Sequence, residues 1–313
     1  MRVALTTSRR AEGKDTELGS LSSALARHGL TCASPVWDDS RVDWSAFDVV
    51  VVRSTWDYPD RPREFLDWAR RVHGETLLLN QLDAIEWNLD KRYLRCLADA
   101  GVPVVPTVWT SPGERWEPLA GNEYVVKPAV SNAARNTARY RPGRDDRRAA
   151  AHVGRLHQAG RVVMTQPYQN AVDHNGELSL IYLDGRYSHA VRKSALLKSG
   201  DSLRDDLFFQ AHIEVDEPSD AEFECARRAI DAVIELHGVQ LYARIDLIIG
   251  LTGEPVVLEC ELVEPFLFID LIPRGAEMMA DAIVGQVDRL ASRRRLSVRP
   301  DGRTAAICPT LLR

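Results

Sequence analysis

Acidic residues near the end of the chain have the spacing of a metal-binding hairpin. Asp246 follows Arg244 in one apolar run, and Glu259 and Glu261 occur in the next, with the turn signal Gly250-Leu-Thr-Gly253 between the runs. Side chains alternate along a strand, so each pair shares one strand face. Carboxylates crowded on one side of a hairpin repel one another unless a cation neutralises them. Mg²⁺ prefers oxygen ligands and commonly keeps substrate phosphates among them, so the pattern predicts a magnesium–nucleotide site; a solvated acidic face is the alternative.

Basic residues that could meet phosphate groups accompany this hairpin. Lys127 ends a strand-like run before a proline, and an ammonium group there is a good partner for phosphate. Arg192 and Lys193 end another strand-like run and are predicted to meet the transferred phosphate or a substrate carboxylate. Arg244 is predicted to pair with the same phosphate. The polar loop that follows, residues 194–201, is expected to act as a lid.

The loop after the second strand-like run is the predicted substrate site. Ligands favour the carboxyl ends of parallel strands, where this loop lies. Arg53 is suited to a substrate carboxylate and Asp57 to an amine. Ser54 and Thr55 offer hydroxyls, and Trp56 offers an aromatic wall. Packing between lobes is the alternative, above all for Trp56.

Strand and helix patterns divide the chain into three regions. Residues 1–85 alternate strand-like and helical runs and predict an α/β lobe with a parallel sheet. Residues 86–162 begin with a helix and continue with strand-like runs. Residues 163–313 contain the hairpin turn Asp184-Gly185, an amphipathic helix over 221–237 and the acidic hairpin.

The order of these motifs resembles that of the ATP-grasp superfamily of carboxylate–amine ligases, in particular the branch with glutathione synthetase and the ribosomal-protein glutamate ligases. A lysine before a helix, Val-Val-Lys-Pro, a polar loop, Gln-Pro-Tyr, a hairpin, Arg-x-Asp and Glu-x-Glu follow one another over nearly the whole chain. The resemblance implies a mixed α/β and α+β fold. Residues 1–85 would be an N-terminal α/β (pre-ATP-grasp) domain, 86–162 the small ATP-grasp subdomain and 163–313 the C-terminal subdomain with the magnesium hairpin, the two subdomains clasping ATP.

The resemblance also implies roles for single residues. In the family, matching lysines contact the nucleotide phosphates, and a Gln-Pro-Tyr-like hinge holds adenine. Glu177 would contact ribose or adenine, unless it is only a carboxylate at a hairpin edge. Where many members have asparagine this chain has Glu261, which favours tighter Mg²⁺ binding or a second ion, with Mn²⁺ as a substitute. Residues 129–137 occupy the place of the family's mobile glycine-rich phosphate loop, but they contain no glycine. The implied nucleotide-binding positions are Lys91, Lys127, Gln166, Pro167, Tyr168 and Glu177.

ATP and Mg²⁺ in such a site imply that a carboxylate is activated as an acyl phosphate and then attacked by an amine-type nitrogen, without a covalent protein nucleophile. Within the superfamily, residues 53–58 and 259–265 are most similar to the branch that contains the cyclo-ligase of cycloserine biosynthesis, which implies closure of O-ureido-D-serine to D-cycloserine. Intermolecular ligation of amino acids or peptides is one alternative. A non-catalytic nucleotide-binding regulatory module is another, although clustered charges favour catalysis.

Composition limits the partners. The 313-residue chain has a net charge of −5 and a pI near 5.9, which argues against a general nucleic-acid binder. Five cysteines without CxxC spacing indicate reduced thiols. No apolar run approaches membrane-spanning length and the first residues lack a signal-peptide core, so we expect a cytoplasmic enzyme for a small-molecule carboxylate. ATP-grasp relatives are often dimers, so a homo-oligomer is compatible with the resemblance.

Overall fold

The N-terminal lobe is built on a parallel sheet, as its strand and helix pattern predicts. The computed structural model describes residues 1–195, 197 and 212–297; the loop expected to act as a lid lies largely outside them. The strands of the lobe are β1 (Arg2–Thr7), β2 (Thr31–Ala33), β3 (Val49–Ser54) and β4 (Leu77–Leu79). They pair in the order β2-β1-β3-β4, and all neighbours are parallel. Helices α1 (Glu17–Arg27) and α2 (Pro62–Glu75) connect them.

A second, antiparallel sheet follows two short helices, α3 (Leu82–Asn88) and α4 (Tyr93–Asp99). Its elements are β5 (Val108–Thr110), β6 (Tyr124–Pro128), β7 (Ala138–Tyr140), helix α5 (Asp146–Gln158) and β8 (Val163–Pro167). The strand order is β5-β8-β6-β7. The predicted boundary at residue 163 is therefore misplaced, because it would cut β8 from the two strands with which it pairs. Helix α5, which sequence patterns did not indicate, covers one face of this sheet.

The third sheet has both faces covered. The short helix α6 (Val172–Asn175) precedes it. Its strands are β9 (Glu177–Leu183), β10 (Arg186–Lys193), β11 (Ile213–Asp216), β12 (Tyr242–Ile249) and β13 (Pro255–Glu261). The helices that pack on it are α7 (Asp220–His237) and α8 (Gly275–Ser297). All neighbours are antiparallel, in the order β11-β10-β9-β12-β13. Leu180 and Tyr182 pack with α7, whereas Ile181 and Leu183 pack with α8 and the N-terminal lobe. Burial on both faces explains the continuous apolar run of β9.

The turn between β9 and β10 has the predicted hairpin geometry. Asp184 and Gly185 have φ angles of 53° and 72°, and both positive values are what a two-residue hairpin loop of this kind needs. Aspartate tolerates the left-handed region better than most residues, and glycine enters it without steric cost. The turn therefore sets the register in which β10 returns beside β9.

Two asparagine side chains, Asn80 after β4 and Asn88 at the end of α3, hydrogen-bond the backbone of the third sheet and the residue that follows it. The Asn80 amide donates to the carbonyls of Tyr242 and Leu262 at 2.9 and 2.7 Å, and its oxygen accepts from the Leu241 amide at 2.7 Å. Asn88 bonds the backbone on either side of residue 261 in the same manner. These contacts satisfy buried backbone groups where β12 begins and β13 ends, and so hold the acidic hairpin against the rest of the chain.

Candidate active site

The acidic hairpin exists and carries its charges on one face, as the residue spacing predicts. β12 and β13 pair so that Arg244 lies opposite Glu261 and Asp246 opposite Glu259. The guanidinium of Arg244 donates two hydrogen bonds to Asp246, at 2.9 and 2.8 Å, and one to Glu261 at 2.6 Å. Burial opposes the ionisation of Asp246, but Arg244 and Lys193 outweigh it and hold the pKa of this carboxyl below its usual range. Arg244 thus bridges two of the predicted magnesium ligands.

Both candidate phosphate-binding lysines meet the same carboxylate. Lys127 at the end of β6 donates to Glu259 at 2.7 Å, and the Lys91 ammonium lies 3.5 Å from the second oxygen. Lys91 also donates to the Ser131 carbonyl at 2.5 Å. Burial would raise the pKa of Glu259, but the two lysines lower it overall. Separate regions of the chain therefore converge on the carboxylate that the sequence indicated as a metal ligand.

Lys193 and Glu177 form a further ion pair at the ends of β10 and β9. They are cross-strand neighbours, and the Lys193 ammonium hydrogen-bonds Glu177 and lies 3.6 Å from Asp246. Burial raises the pKa of Glu177 and lowers that of Lys193, but the two carboxylates outweigh burial for the lysine and raise its pKa overall. Glu177 lines the cleft, so the proposed contact with ribose or adenine and its pairing with Lys193 would share one carboxylate.

These pairs line one cleft of about 190 Å³ between the second and third sheets. Its cations are Lys91, Lys127, Lys193 and Arg244, and its anions are Glu177, Asp246, Glu259 and Glu261, so four charges of each sign balance. Within the described residues no three acidic, histidine or cysteine side chains form a ready metal site, since each carboxylate is paired with a cation. The donor chemistry nevertheless suits Mg²⁺ and a polyphosphate together. Oxygen ligands for the metal and ammonium or guanidinium groups for phosphate are already paired within the cleft.

Apolar residues also line the cleft, together with the predicted hinge. Gln166 and Pro167 end β8 and Tyr168 follows it; all three line the cleft, as do Ile248 and Leu258. Gln166 donates to Thr107 at 2.9 Å, and the hydroxyl of Tyr168 donates to Asp173 at 2.5 Å. Apolar side chains beside a strand end can cover the faces of an adenine ring, and the hinge stays a prediction.

The loop expected to cover the phosphates adopts left-handed backbone without glycine. Ala133, Ala134 and Asn136 have φ angles of 49°, 54° and 51°. The two alanines are conformationally costly there, by about 1–2 kcal/mol each. Arg135 is engaged by Asp60 of the N-terminal lobe at 3.1 Å. The loop is thereby attached to that lobe, and its small side chains line the cleft.

The predicted substrate loop does not line this cleft. Arg53 is 2% exposed and donates to Glu17 at 2.6 Å, so it is a buried structural cation and not the carboxylate-binding residue that the sequence suggested. Ser54 donates to a neighbouring threonine at 2.9 Å, and Thr55 is fully buried. Asp57 accepts from Trp37 at 2.8 Å and from Arg61 at 3.2 Å.

Trp56 differs from the polar members of that loop because it contacts segments outside the N-terminal lobe. Its indole N–H donates to the Glu264 carbonyl at 3.2 Å, its ring packs 6.2 Å from Phe266, and its own carbonyl accepts from Asn132 at 2.7 Å. Packing between lobes therefore describes Trp56, whereas Ser54 and Asp57 are held within the N-terminal lobe. The prediction fails for the polar members because the partners that bury them come from α1, β1 and the segment before α2.

The sequence also predicted Arg192 at the phosphate site, whereas the structure places it outside the cleft. Its guanidinium pairs with Asp216 and with Glu222 at 3.2 Å, and donates to the Asn175 carbonyl at 3.0 Å. Glu222 belongs to the capping box that begins α7. Successive side chains on a strand point to opposite faces, so Lys193 reaches the cleft and Arg192 stabilises the start of α7.

Ser179 is a site residue that sequence reasoning missed. Its hydroxyl donates to Asp246 at 2.5 Å from the neighbouring position on β9. The available signal was a polar residue between Leu178 and Leu180 in an apolar strand, because a buried hydroxyl requires a partner on its own face.

Comparisons with known proteins agree with this geometry. A family model described as the N-terminal domain of D-cycloserine synthetase DcsG matches residues 3–80. Cycloserine biosynthesis protein DcsG from Streptomyces lavendulae is 36% identical over 281 residues, which cover 86% of this chain and 93% of that protein. The crystal structure of D-cycloserine synthetase DcsG superposes with a TM-score of 0.83 at 32% identity, covering 92% of this chain and 100% of the other.

More distant structures share the fold. D-alanine–D-alanine ligase from Bacillus anthracis, solved with ATP, has a TM-score of 0.67 at 13% identity and covers 94% of this chain and 99% of its own. The fold and the charged cleft define an ATP-grasp enzyme, an ATP-dependent ligase that binds its nucleotide between two subdomains. Within that class, the chain belongs to the family of the cycloserine biosynthesis protein DcsG. No helix among the described residues is long and apolar enough to cross a membrane.

Proposed function

We propose that this ligase closes O-ureido-D-serine to the ring of D-cycloserine, as the name of its relative DcsG suggests. The observation that carries the proposal is the charge-balanced cleft. The chain that contains it is 36% identical to DcsG over 86% of the chain's own length. A substrate carboxylate oxygen attacks the γ-phosphorus of ATP, and the bond to the ADP oxygen breaks. The nitrogen next to the side-chain oxygen then attacks the acyl carbon, and inorganic phosphate leaves. Water must also hydrolyse the bond between that nitrogen and the carbamoyl carbon, which leaves N–H in the ring and releases the carbamoyl group as carbon dioxide and ammonia.

The cleft residues divide into two roles in this proposal. Lys91 and Lys127 leave Glu259 and hold the nucleotide phosphates, while Lys193 and Arg244 stabilise charge on the phosphate being transferred. Oxygen ligands for one or two Mg²⁺ ions, or for Mn²⁺, would come from Asp246, Glu259 and Glu261. Bound metal would supply charge neutralisation at the phosphate oxygens. The exchange of partners is inexpensive because each ion pair that breaks is replaced by a new one of the same type.

Release of ADP from Mg-ATP, measured with O-ureido-D-serine and a panel of amino acids, tests the proposal when products are identified by mass. We expect release with the ureido compound and a cyclic product. Asp246→Asn and Glu259→Gln should abolish it, whereas Glu254→Gln, an exposed change on the same hairpin, should not. A joined pair of amino acids would instead indicate intermolecular ligation. Tight ATP binding without release for any compound would favour a regulatory module.

A further inference from the structure

A second, smaller cavity adjoins the nucleotide cleft on the side of the N-terminal lobe. It is lined by Tyr58, Glu261 and Glu264, among others, and shares Lys91 and Asn132 with the main cleft. Its volume of about 20 Å³ leaves room for one group the size of a water molecule. The cavity therefore opens from the cleft at the end where the phosphate-binding and metal-binding candidates lie.

Glu264 is a buried carboxylate on the wall of this cavity. It is 5% exposed, and among the described residues no lysine, arginine or histidine lies within ion-pair distance of it. Its side chain accepts one hydrogen bond, from the Asn132 amide at 3.3 Å. Burial raises the pKa of this carboxyl to about 8, with Glu261 contributing in the same direction. A carboxylate so placed is costly unless something cationic meets it.

Asn132 adds a second acceptor. Its amide nitrogen donates both to the Trp56 carbonyl and to Glu264, which fixes the orientation of the amide. Its side-chain oxygen is consequently left buried with no hydrogen-bond partner in the described chain. Glu264 and Asn132 thus present acceptor oxygens to a cavity that the phenol of Tyr58 also lines, and the Asn132 oxygen has no donor among the described residues. A small group rich in N–H donors is the complement to such a wall.

We propose that the cavity formed by Tyr58, Asn132 and Glu264 binds the α-ammonium group of an amino-acid substrate, with Glu264 as its counter-ion. The proposal rests on the proposed function, because it assigns the substrate of that site to the α-amino acids. An ammonium group has the size of a water molecule and three donors. It is also one carbon away from the carboxylate, so that seating it here places the carboxylate at the Lys91 and Glu261 end of the cleft.

Other occupants fit the cavity less well. A carboxylate or phosphate would be repelled by Glu261 and Glu264 and is larger than the space. Magnesium usually retains several water molecules, for which a cavity of about 20 Å³ has no room. The acceptors of Glu264 and Asn132 and the single water-sized space therefore favour an ammonium ion over a metal or an anion.

Equilibrium binding of two compounds tests the ammonium subsite. Calorimetric titrations in the presence of Mg²⁺ and a non-hydrolysable ATP analogue would compare O-ureido-D-serine with 3-(ureidooxy)propanoate, which lacks only the amine. We expect the wild-type protein to prefer the amine by about 30-fold, as one buried charge-assisted contact provides. Glu264→Gln should reduce the preference to less than about threefold at an unchanged unfolding temperature, and Glu254→Gln should retain it.

The results separate this proposal from the proposed function. An unchanged preference in Glu264→Gln, or no preference in the wild-type protein, overturns the ammonium subsite even if ADP is released. If binding depends less on Mg²⁺ in Glu264→Gln while the preference for the amine is intact, Glu264 is a metal ligand. That result also overturns the ammonium subsite. A preference that Glu264→Gln removes, in a protein that forms no cyclic product, supports the subsite and refutes the cyclisation.

Discussion

Replacing Arg53 separates a structural role from the substrate-binding role that the sequence predicts. The Arg53 side chain is 2% exposed, with one hydrogen bond to Glu17 at 2.6 Å and one to the Pro265 carbonyl at 3.4 Å. Glu17 also accepts the amides of Leu267 and Ile269, at 3.2 and 2.8 Å. We expect Arg53→Met to lower the free energy of unfolding by about 3 kcal/mol, because it removes the cation from a buried pair.

Removing the acidic partner of Arg53 should lower the free energy of unfolding further. In Glu17→Gln the buried guanidinium cannot lose its charge, so we expect a loss near the upper end of the range for broken buried pairs, about 5 kcal/mol. A carboxyl without its arginine, by contrast, can take up a proton, and burial already raises the pKa of Glu17 to about 7. The double variant Glu17→Gln, Arg53→Met leaves no unpaired charge and should recover most of the loss.

Urea unfolding followed by tryptophan fluorescence measures these differences, because Trp37, Trp44 and Trp68 pack together in the core of the same lobe. Arg71→Met, an exposed change on α2, is the matched control and should stay within about 0.5 kcal/mol. An Arg53→Met protein of wild-type stability, with a raised KM for the carboxylate substrate, would show that Arg53 binds substrate and that the buried-pair argument is wrong.

Two further predictions concern residues outside the cleft. Arg192→Met should leave kcat and the KM for ATP within about twofold while destabilising the protein by about 1–2 kcal/mol, because its partners Asp216 and Glu222 hold the start of α7; a large loss of kcat at wild-type stability would place Arg192 in catalysis. Burial lowers the pKa of His152 from 6.5 to about 4, so its contribution to stability is present above pH 6.5 and is lost as the pH falls toward 4. The wild-type protein should lose about 3 kcal/mol of unfolding free energy over this pH range, and His152→Gln should not show this loss. If the unfolding free energies of both proteins fall equally with pH, His152 is not the group responsible.

Much of the fold follows from local patterns. The alternating strands and helices predicted a parallel N-terminal sheet, and Asp184-Gly185 predicted a tight hairpin. Helix α5 escaped prediction because its polar, arginine-rich segment has only a narrow apolar stripe, which the second sheet covers. The boundary at 163 was wrong because the pairing of β8 with β6 joins residues far apart in the chain.

The sequence by itself determined the charges of the candidate site and their grouping on a hairpin. Side-chain alternation is a local property of any strand, so Arg244, Asp246, Glu259 and Glu261 had to share a face once the two strands paired. Only the tertiary structure decided what meets that face. The ammonium of Lys193 reaches it, the guanidinium of Arg53 is buried elsewhere, and a bulge after Asp246 brings Leu258 to the cleft wall. The partner of a charge is set by whichever distant segment packs against it, and residue spacing along one strand carries no information about that.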